Sequence, residues 1–182
     1  MTKKFLIIGN PVKHSLSPKL HNYWFKQYKI DAIYEKKEIL DHELSDVVES
    51  IRKEQIFGVN VTVPYKEKII PFLDRLSELS EKTHSVNTIY KKGNVVIGDN
   101  TDIYGFVESM KYHSINLKDK TVLIIGGGGV VPSIINGLIE LSIKKICLMN
   151  RTFKKIKKFK EDYPNIELLE WGKTVEFDII IN

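Results

Sequence analysis

The chain has 182 residues, 42% of them hydrophobic and 28% charged, a globular composition that excludes a disordered or collagen-like polymer. A single cysteine, Cys147, excludes a disulfide framework, and no apolar run approaches the roughly 20 residues of a membrane-spanning helix. The formal charge of +5 suits either a nucleic acid or a small anionic ligand, so the placement of the cations must decide.

Apolar runs alternate with helical-period segments, the pattern of an α/β protein. Phe5–Gly9 predicts a buried strand; its apolar stretch is too short for a secretory signal, so the cytoplasm is the expected compartment. Pro18–Lys29 has helical spacing through Leu20, Tyr23 or Trp24, and Gln27 or Tyr28. Ala32–Ile39 predicts a strand. Asp41 is placed to cap a helix with Leu44, Val47, Val48 and Ile51 inside. Gly58–Val63 predicts a strand stopped by Pro64, with a helix from Lys66. Asn87–Tyr90 and Val95–Ile97 flank a hairpin turn at Lys91–Asn94, and Thr101 or Asp102 caps a helix to about His113.

The polar stretch Ser114–Asp119 resets the pattern, which predicts domains at 1–113 and 114–182. Thr121–Ile125 is a continuous apolar strand, followed by Gly126-Gly127-Gly128-Gly129 and a helical segment to Leu141. Lys145–Met149 predicts a second strand, Phe153–Tyr163 a helix, and Ile166–Leu169 and Phe177–Ile181 two more strands. Cys147, inside an apolar run, reads as an inert buried thiol.

Glycines between a strand and a helix let the backbone approach a pyrophosphate, and the helix presents free N–H groups to it. Gly126 and Gly128 meet the usual dinucleotide spacing, while Val131 holds the third position and Pro132 fits the first helical turn. The second strand ends in Met149-Asn150-Arg151-Thr152, with no acid to take a ribose 2′-hydroxyl. A guanidinium there suits a 2′-phosphate, so NADP is preferred to NAD. The lysines at 154, 155, 157, 158 and 160 interleave with Phe153, Ile156, Phe159 and Tyr163, which reads as a solvated helix face rather than a nucleic-acid surface. The five histidines show no metal-ligand spacing, and no metal is expected.

Four polar motifs follow or cap strands in the first part. They are Gly9–Pro18, carrying Ser15 and Ser17; Asn60–Lys66, carrying Thr62; Ser85–Thr88, carrying Asn87; and Gly98–Asp102. Taken singly, each also reads as capping, turn formation or surface solvation. In this order, and with the glycine turn and Asn150–Thr152, the chain resembles the shikimate dehydrogenase family from Phe5 to Asn182.

The resemblance implies an N-terminal α/β substrate-binding lobe, a Rossmann-type NADP-binding lobe and a cleft between them. It implies reversible reduction of 3-dehydroshikimate to shikimate by NADPH, in aromatic amino-acid biosynthesis. By resemblance Ser15 and Ser17 hold the substrate carboxylate, supported by Thr62, and Asn87 and Asp102 bind ring hydroxyls. Lys66 and Asp102 stand at the reacting oxygen, and either is open as the proton donor. Gly126, Gly127, Gly128 and Gly129 face the pyrophosphate, while Asn150, Arg151, Thr152 and Lys155 surround the 2′-phosphate. The partners implied are the small-molecule substrate, with no nucleic acid and no membrane, in a monomer or homodimer. Chemically, a positioned ammonium stabilises the charge that hydride delivery builds on a ketone oxygen and can supply a proton.

The chain departs from the family pattern in two places. Val130, Val131 and Pro132 replace small residues after the glycines. Asp178–Asn182 matches a strand that family members continue past, so the expected nucleotide lobe is incomplete, with an apolar strand left at the terminus. Two other readings remain: a quinate/shikimate dehydrogenase with relaxed NAD/NADP use, and a truncated homologue acting as a binding module.

Overall fold

The side chains of Phe5-Leu6-Ile7-Ile8 point alternately to two apolar faces, which makes this run a central strand. In the computed structural model, which describes residues 2–182, it forms β1 (Lys3–Gly9), paired in parallel with β2 (Ala32–Glu38) and β3 (Gly58–Val61). Leu6 and Ile8 pack with Val59 and Val61 against Leu44, Val47, Val48 and Ile51 of α2 (Leu44–Arg52). Ile7 packs with Tyr34 and with Phe25 of α1 (Ser17–Gln27). β4 (Arg75–Leu76), α3 (Glu78–Thr83), β5 (Thr88–Lys92) and β6 (Val95–Asp99) complete this part. The sheet order is β2-β1-β3-β5-β6-β4, with β5 antiparallel to both its neighbours. Gly93, at φ +60°, turns the β5–β6 hairpin where the sequence places it.

Three local expectations change. The helical spacing through Leu20, Tyr23 or Trp24 does not mark the packed side of α1: these side chains are 47%, 61% and 42% exposed. The packed side chains are Phe25 and His21, the latter stacked on Tyr34. Asp41 does not cap α2. A 3₁₀ turn at Asp41–Glu43 precedes that helix, Glu43 accepts the Leu40 N–H at 2.8 Å, and Asp41 pairs with Lys68 at 2.5 Å. No α-helix begins at Lys66. Pro71 confines the segment to a 3₁₀ turn at Ile70–Phe72, and the next helix, α3, is capped by Ser77, whose Oγ accepts the Ser80 N–H.

Arg52 of α2 grips the Asp74 carboxylate with hydrogen bonds of 2.7 and 3.0 Å, and Val96 N–H adds another at 2.7 Å. These donors hold the Asp74 carboxyl below its usual range, the Arg52 contact first. A depressed carboxyl stabilises above its unfolded value, about 3.9, and loses that contribution as pH falls through the lower folded value. Asp74→Asn therefore lowers the urea midpoint near neutral pH, and the gap from the parent chain closes on descent to about pH 2. A gap that stays constant from neutral to acid pH would exclude this role.

The chain divides by packing into two units, Met1–Thr101 and Asp102–Asn182. The division falls before, not after, α4 (Asp102–Tyr112), because Phe106 and Met110 of α4 join the apolar cluster of the second unit. Where α4 meets α5 (Val131–Glu140), a Cβ on Gly137 would lie 2.6 Å from the Phe106 ring. The second unit's strands β7 (Thr121–Ile125), β8 (Lys145–Met149), β9 (Glu167–Leu169) and β10 (Ile179–Ile181) are all parallel, in the order β10-β7-β8-β9. Numbered from β7, that order is 4-1-2-3, the first three-stranded half of a doubly wound nucleotide-binding sheet together with the strand that follows it. β10 is not unpaired: Ile179–Ile181 lie in register with Val122–Ile124, and Asp178 accepts the Thr121 N–H at 2.8 Å. The lysine-rich segment follows a helical path as two short turns, α6 (Phe153–Ile156) and α7 (Phe159–Asp162). Ile156, Phe159 and Tyr163 are buried and the lysines exposed, as the pattern requires. Cys147 is fully buried, and burial pushes its thiol up, away from the reactive thiolate.

Candidate functional site

The parallel strands β1 and β3 end at one edge of the first sheet. Antiparallel pairing starts β5 and ends β6 at that same edge. The four polar motifs therefore converge there by topology. Gly9 and Thr62 meet where β1 and β3 end: Thr62 N–H donates to Ile8 O at 2.9 Å, and Asn10 N–H to Val63 O at 3.0 Å. A Cβ on Gly9 would stand 2.5 Å from Thr62 Cγ2 and 3.0 Å from Val63 O. Gly9→Ala thus forces the two loops apart, costing about 1–3 kcal/mol of unfolding free energy and moving Thr62. Denaturant unfolding checks this, and an unchanged midpoint would contradict the close approach.

Ser15 and Ser17 are brought together. Ser15 Oγ lies 3.2 Å from Ser17 Oγ and accepts the Ser17 backbone N–H at 3.3 Å. Ser17 is the first residue of α1, and no side-chain cap closes the start of that helix. Lys66 is half-buried, and its position is fixed through its backbone. Its carbonyl accepts Val86 N–H at 2.9 Å, and the preceding Tyr65, buried to 1% exposure, anchors its hydroxyl on Ile39 O at 2.6 Å.

Asn87 is 9% exposed. Its carbonyl accepts Val61 N–H at 2.8 Å and its N–H donates to Asp99 O at 3.0 Å. Its side chain binds Thr101 twice: Nδ2 donates to Thr101 Oγ1, and Oδ1 accepts Thr101 N–H, both at 3.0 Å. Asn100, almost fully buried, pins the same loop by donating to Thr83 Oγ1 and Ser85 O at 3.0 and 2.9 Å. Asp102 opens α4 as the first residue of the second unit. The sequence reading missed Asn60 near this edge and Tyr34, which lies opposite Phe5 within the sheet and reaches Asn60 through its hydroxyl. Asn60 lies inside a motif already singled out, but Tyr34 carries no signal beyond being aromatic in a strand.

In the second unit the glycine turn leaves β7 and leads into α5. Gly126 has φ +140°, a conformation L side chains rarely adopt, and its N–H donates to Met149 O at 2.9 Å. The glycine turn and the end of β8 are adjacent: a Cβ on Gly127 would lie 3.4 Å from Asn150 Cγ. A Cβ on Gly128 would meet nothing within 4 Å, so its backbone faces open space. Val131, at the third fingerprint position, turns inward and is 4% exposed within the core; the close glycine contact falls at Gly137 instead. Asn150 Nδ2 donates to Thr152 O at 2.9 Å, which folds the loop around exposed Arg151. Lys155 is exposed on α6. A strained glycine turn, an open backbone face, a ten-residue helix after it and an exposed guanidinium where an acid would serve NAD together fit a dinucleotide carrying a 2′-phosphate.

Two family profiles match in succession. One, described as the shikimate dehydrogenase substrate binding domain, covers residues 7–89; the other, described as shikimate / quinate 5-dehydrogenase, covers 108–182. A curated shikimate dehydrogenase (NADP(+)) from Pelagibacter ubique is 58% identical over all of this chain and 69% of its own length. The chain belongs to the shikimate dehydrogenase family. Among solved family members, shikimate dehydrogenase 1 from Peptoclostridium difficile superposes with a TM-score of 0.87 at 30% identity, covering 98% of this chain and 65% of that one. The Thermus thermophilus enzyme, crystallised with NADP(H) and shikimate, gives 0.83 at 29% identity, covering 92% of this chain and 62% of that one. The chain thus spans about two thirds of the length of the shikimate dehydrogenases it matches. No helix among the described residues is long and apolar enough to cross a membrane.

Proposed function

We propose that the chain carries the shikimate-binding and NADP-binding machinery of a shikimate dehydrogenase, for reversible reduction of 3-dehydroshikimate to shikimate. The observation that carries this reading is the convergence of Ser15, Ser17, Thr62, Lys66 and Asn87 on one sheet edge of the first unit. The serine hydroxyls are suited to a carboxylate, with Thr62 behind them, and Asn87 to ring hydroxyls. Lys66 supplies positive charge, and a proton, to the oxygen of the carbonyl under reduction. Asp102 takes the role that the family resemblance gives it.

When bound, NADPH supplies the hydride. Gly126, Gly127, Gly128 and Gly129 would hold its pyrophosphate, and Asn150, Arg151, Thr152 and Lys155 its 2′-phosphate. The division of labour follows the two units, with substrate on the first and nucleotide on the second. The preference for NADP over a relaxed NAD/NADP choice rests on Arg151 at the end of β8, where no acid stands. We place the enzyme in the cytoplasm.

Calorimetric titration of the chain with shikimate and with NADP, together with NADPH oxidation in the presence of 3-dehydroshikimate, tests the reading. Saturable binding of both ligands is expected. Failure of shikimate to bind would overturn the assignment of the first unit, whatever the rate.

A further inference from the structure

Tyr34 sits within β2 and is 4% exposed. Its backbone is held by the Asn22 side chain: Nδ2 donates to Tyr34 O at 2.8 Å, and Oδ1 accepts Tyr34 N–H at 2.9 Å. His21 stacks on its ring, with 4.2 Å between centroids and 5° between planes. This leaves the hydroxyl one position. It donates to Asn60 Oδ1 at 2.6 Å and is hydrogen-bonded by the Ser17 side chain. Burial pushes the phenol well above its usual range, so it remains a neutral donor.

A side-chain amide can turn over, exchanging acceptor for donor, unless its neighbours distinguish the two ends. Tyr34 and the Asn87 carbonyl distinguish them for Asn60. With Oδ1 committed to the phenol, Nδ2 donates to Asn87 O at 3.2 Å and to Thr88 Oγ1 at 3.1 Å. Thr88 then donates to Asn87 Oδ1 at 3.0 Å, the same oxygen that accepts Thr101 N–H. Each donor is aimed onward, so the relay adds to the Thr101 N–H in holding Oδ1 as the accepting end of the Asn87 amide.

We propose that Tyr34 is a positioning residue: acting through Asn60 and Thr88, its hydroxyl steadies the Asn87 amide in the orientation that Thr101 also selects, the one with which Asn87 meets a ligand hydroxyl. The ligand half of this statement rests on the reading of the first unit as a shikimate site; the relay itself does not. Without the phenol O–H, Asn60 Oδ1 loses its donor while Nδ2 stays held by the Asn87 carbonyl; the Asn60 side chain loosens, and its contacts to Thr88 and Asn87 loosen with it.

The test combines ¹⁵N spectra of the side-chain amides with calorimetric shikimate titration, on the chain, on Tyr34→Phe and on Thr88→Val. In Tyr34→Phe without ligand, the Asn60 and Asn87 amide resonances shift. Those of Asn22 stay, because its partners are backbone groups that the substitution keeps. The dissociation constant for shikimate rises roughly tenfold, the effect of losing one well-made hydrogen bond. Thr88→Val, which leaves the Tyr34–Asn60 contact intact, removes a partner of both amides, shifts Asn87 as well as Asn60 and weakens shikimate similarly. An unmoved Asn87 resonance in both variants overturns the relay, as does unchanged shikimate affinity in variants of a chain that binds it. A parent chain that binds no shikimate overturns the proposed function instead, and the Asn87 resonance still decides the relay.

Discussion

Lys66→Ala lowers the rate of NADPH-dependent 3-dehydroshikimate reduction by about a hundredfold to ten-thousandfold, the range for losing a general acid or an oxyanion donor. The magnitude follows from where the residue is held. Tyr65 is locked by its hydroxyl to Ile39 O, and the Lys66 carbonyl by Val86 N–H, so the ammonium stem leaves a backbone tied on both sides. Such a group makes its strongest interaction only as charge builds on the ketone oxygen, so kcat falls more than KM rises. Lys66→Arg separates the two contributions. A guanidinium retains the charge but does not release a proton in the working range. If proton transfer dominates, Arg is nearly as slow as Ala; if charge dominates, Arg recovers much of the rate. Retention of kcat within about threefold in Lys66→Ala would remove this residue from the chemistry.

The second unit was legible in the sequence because each of its features is local. A continuous apolar strand, a glycine run and the 3.6 period of the next helix each occupy a few adjacent residues. The same locality explains the error at the domain boundary. The polar stretch Ser114–Asp119 marks a change in pattern, whereas membership of a unit is decided by what α4 packs on, and Phe106 and Met110 pack on the second unit. The packed side of α1 was not legible for a related reason. Leu20, Tyr23 and Trp24 form an apolar stripe at helical spacing, but the buried side of that helix must satisfy both backbone groups of Tyr34 and its ring, which Asn22 and His21 do. Ser15, Ser17, Thr62, Lys66 and Asn87 could be named in advance as motif residues. Their convergence could not, since it depends on β5 running antiparallel within a sheet that is otherwise parallel around β1.

Arg151→Asp reverses the expected nucleotide preference. The substitution removes a charge-assisted contact to the 2′-phosphate, worth about 1.5–3 kcal/mol, and replaces it with a like charge. At about 1.4 kcal/mol per factor of ten, the dissociation constant for NADPH rises by at least ten- to a hundredfold. NADH lacks the phosphate and loses almost nothing, while the new carboxylate is placed to accept from its ribose 2′-hydroxyl. The surroundings favour a clean result. Asn150 remains tied to Thr152 O and packed beside Gly127, so the loop keeps its shape when the exposed side chain between them changes. Lys155→Ala gives a smaller loss of NADPH affinity, because a flexible ammonium contributes a point charge rather than a two-point fork. Raising the salt concentration narrows the difference between parent and variant for NADPH, because both the lost attraction and the added repulsion are screened at an exposed site. Fluorescence titration with both nucleotides measures all of this. Equal losses for NADPH and NADH would mean that Arg151 supports the loop rather than the phosphate, and the preference for NADP would then have to come from the neighbouring lysines.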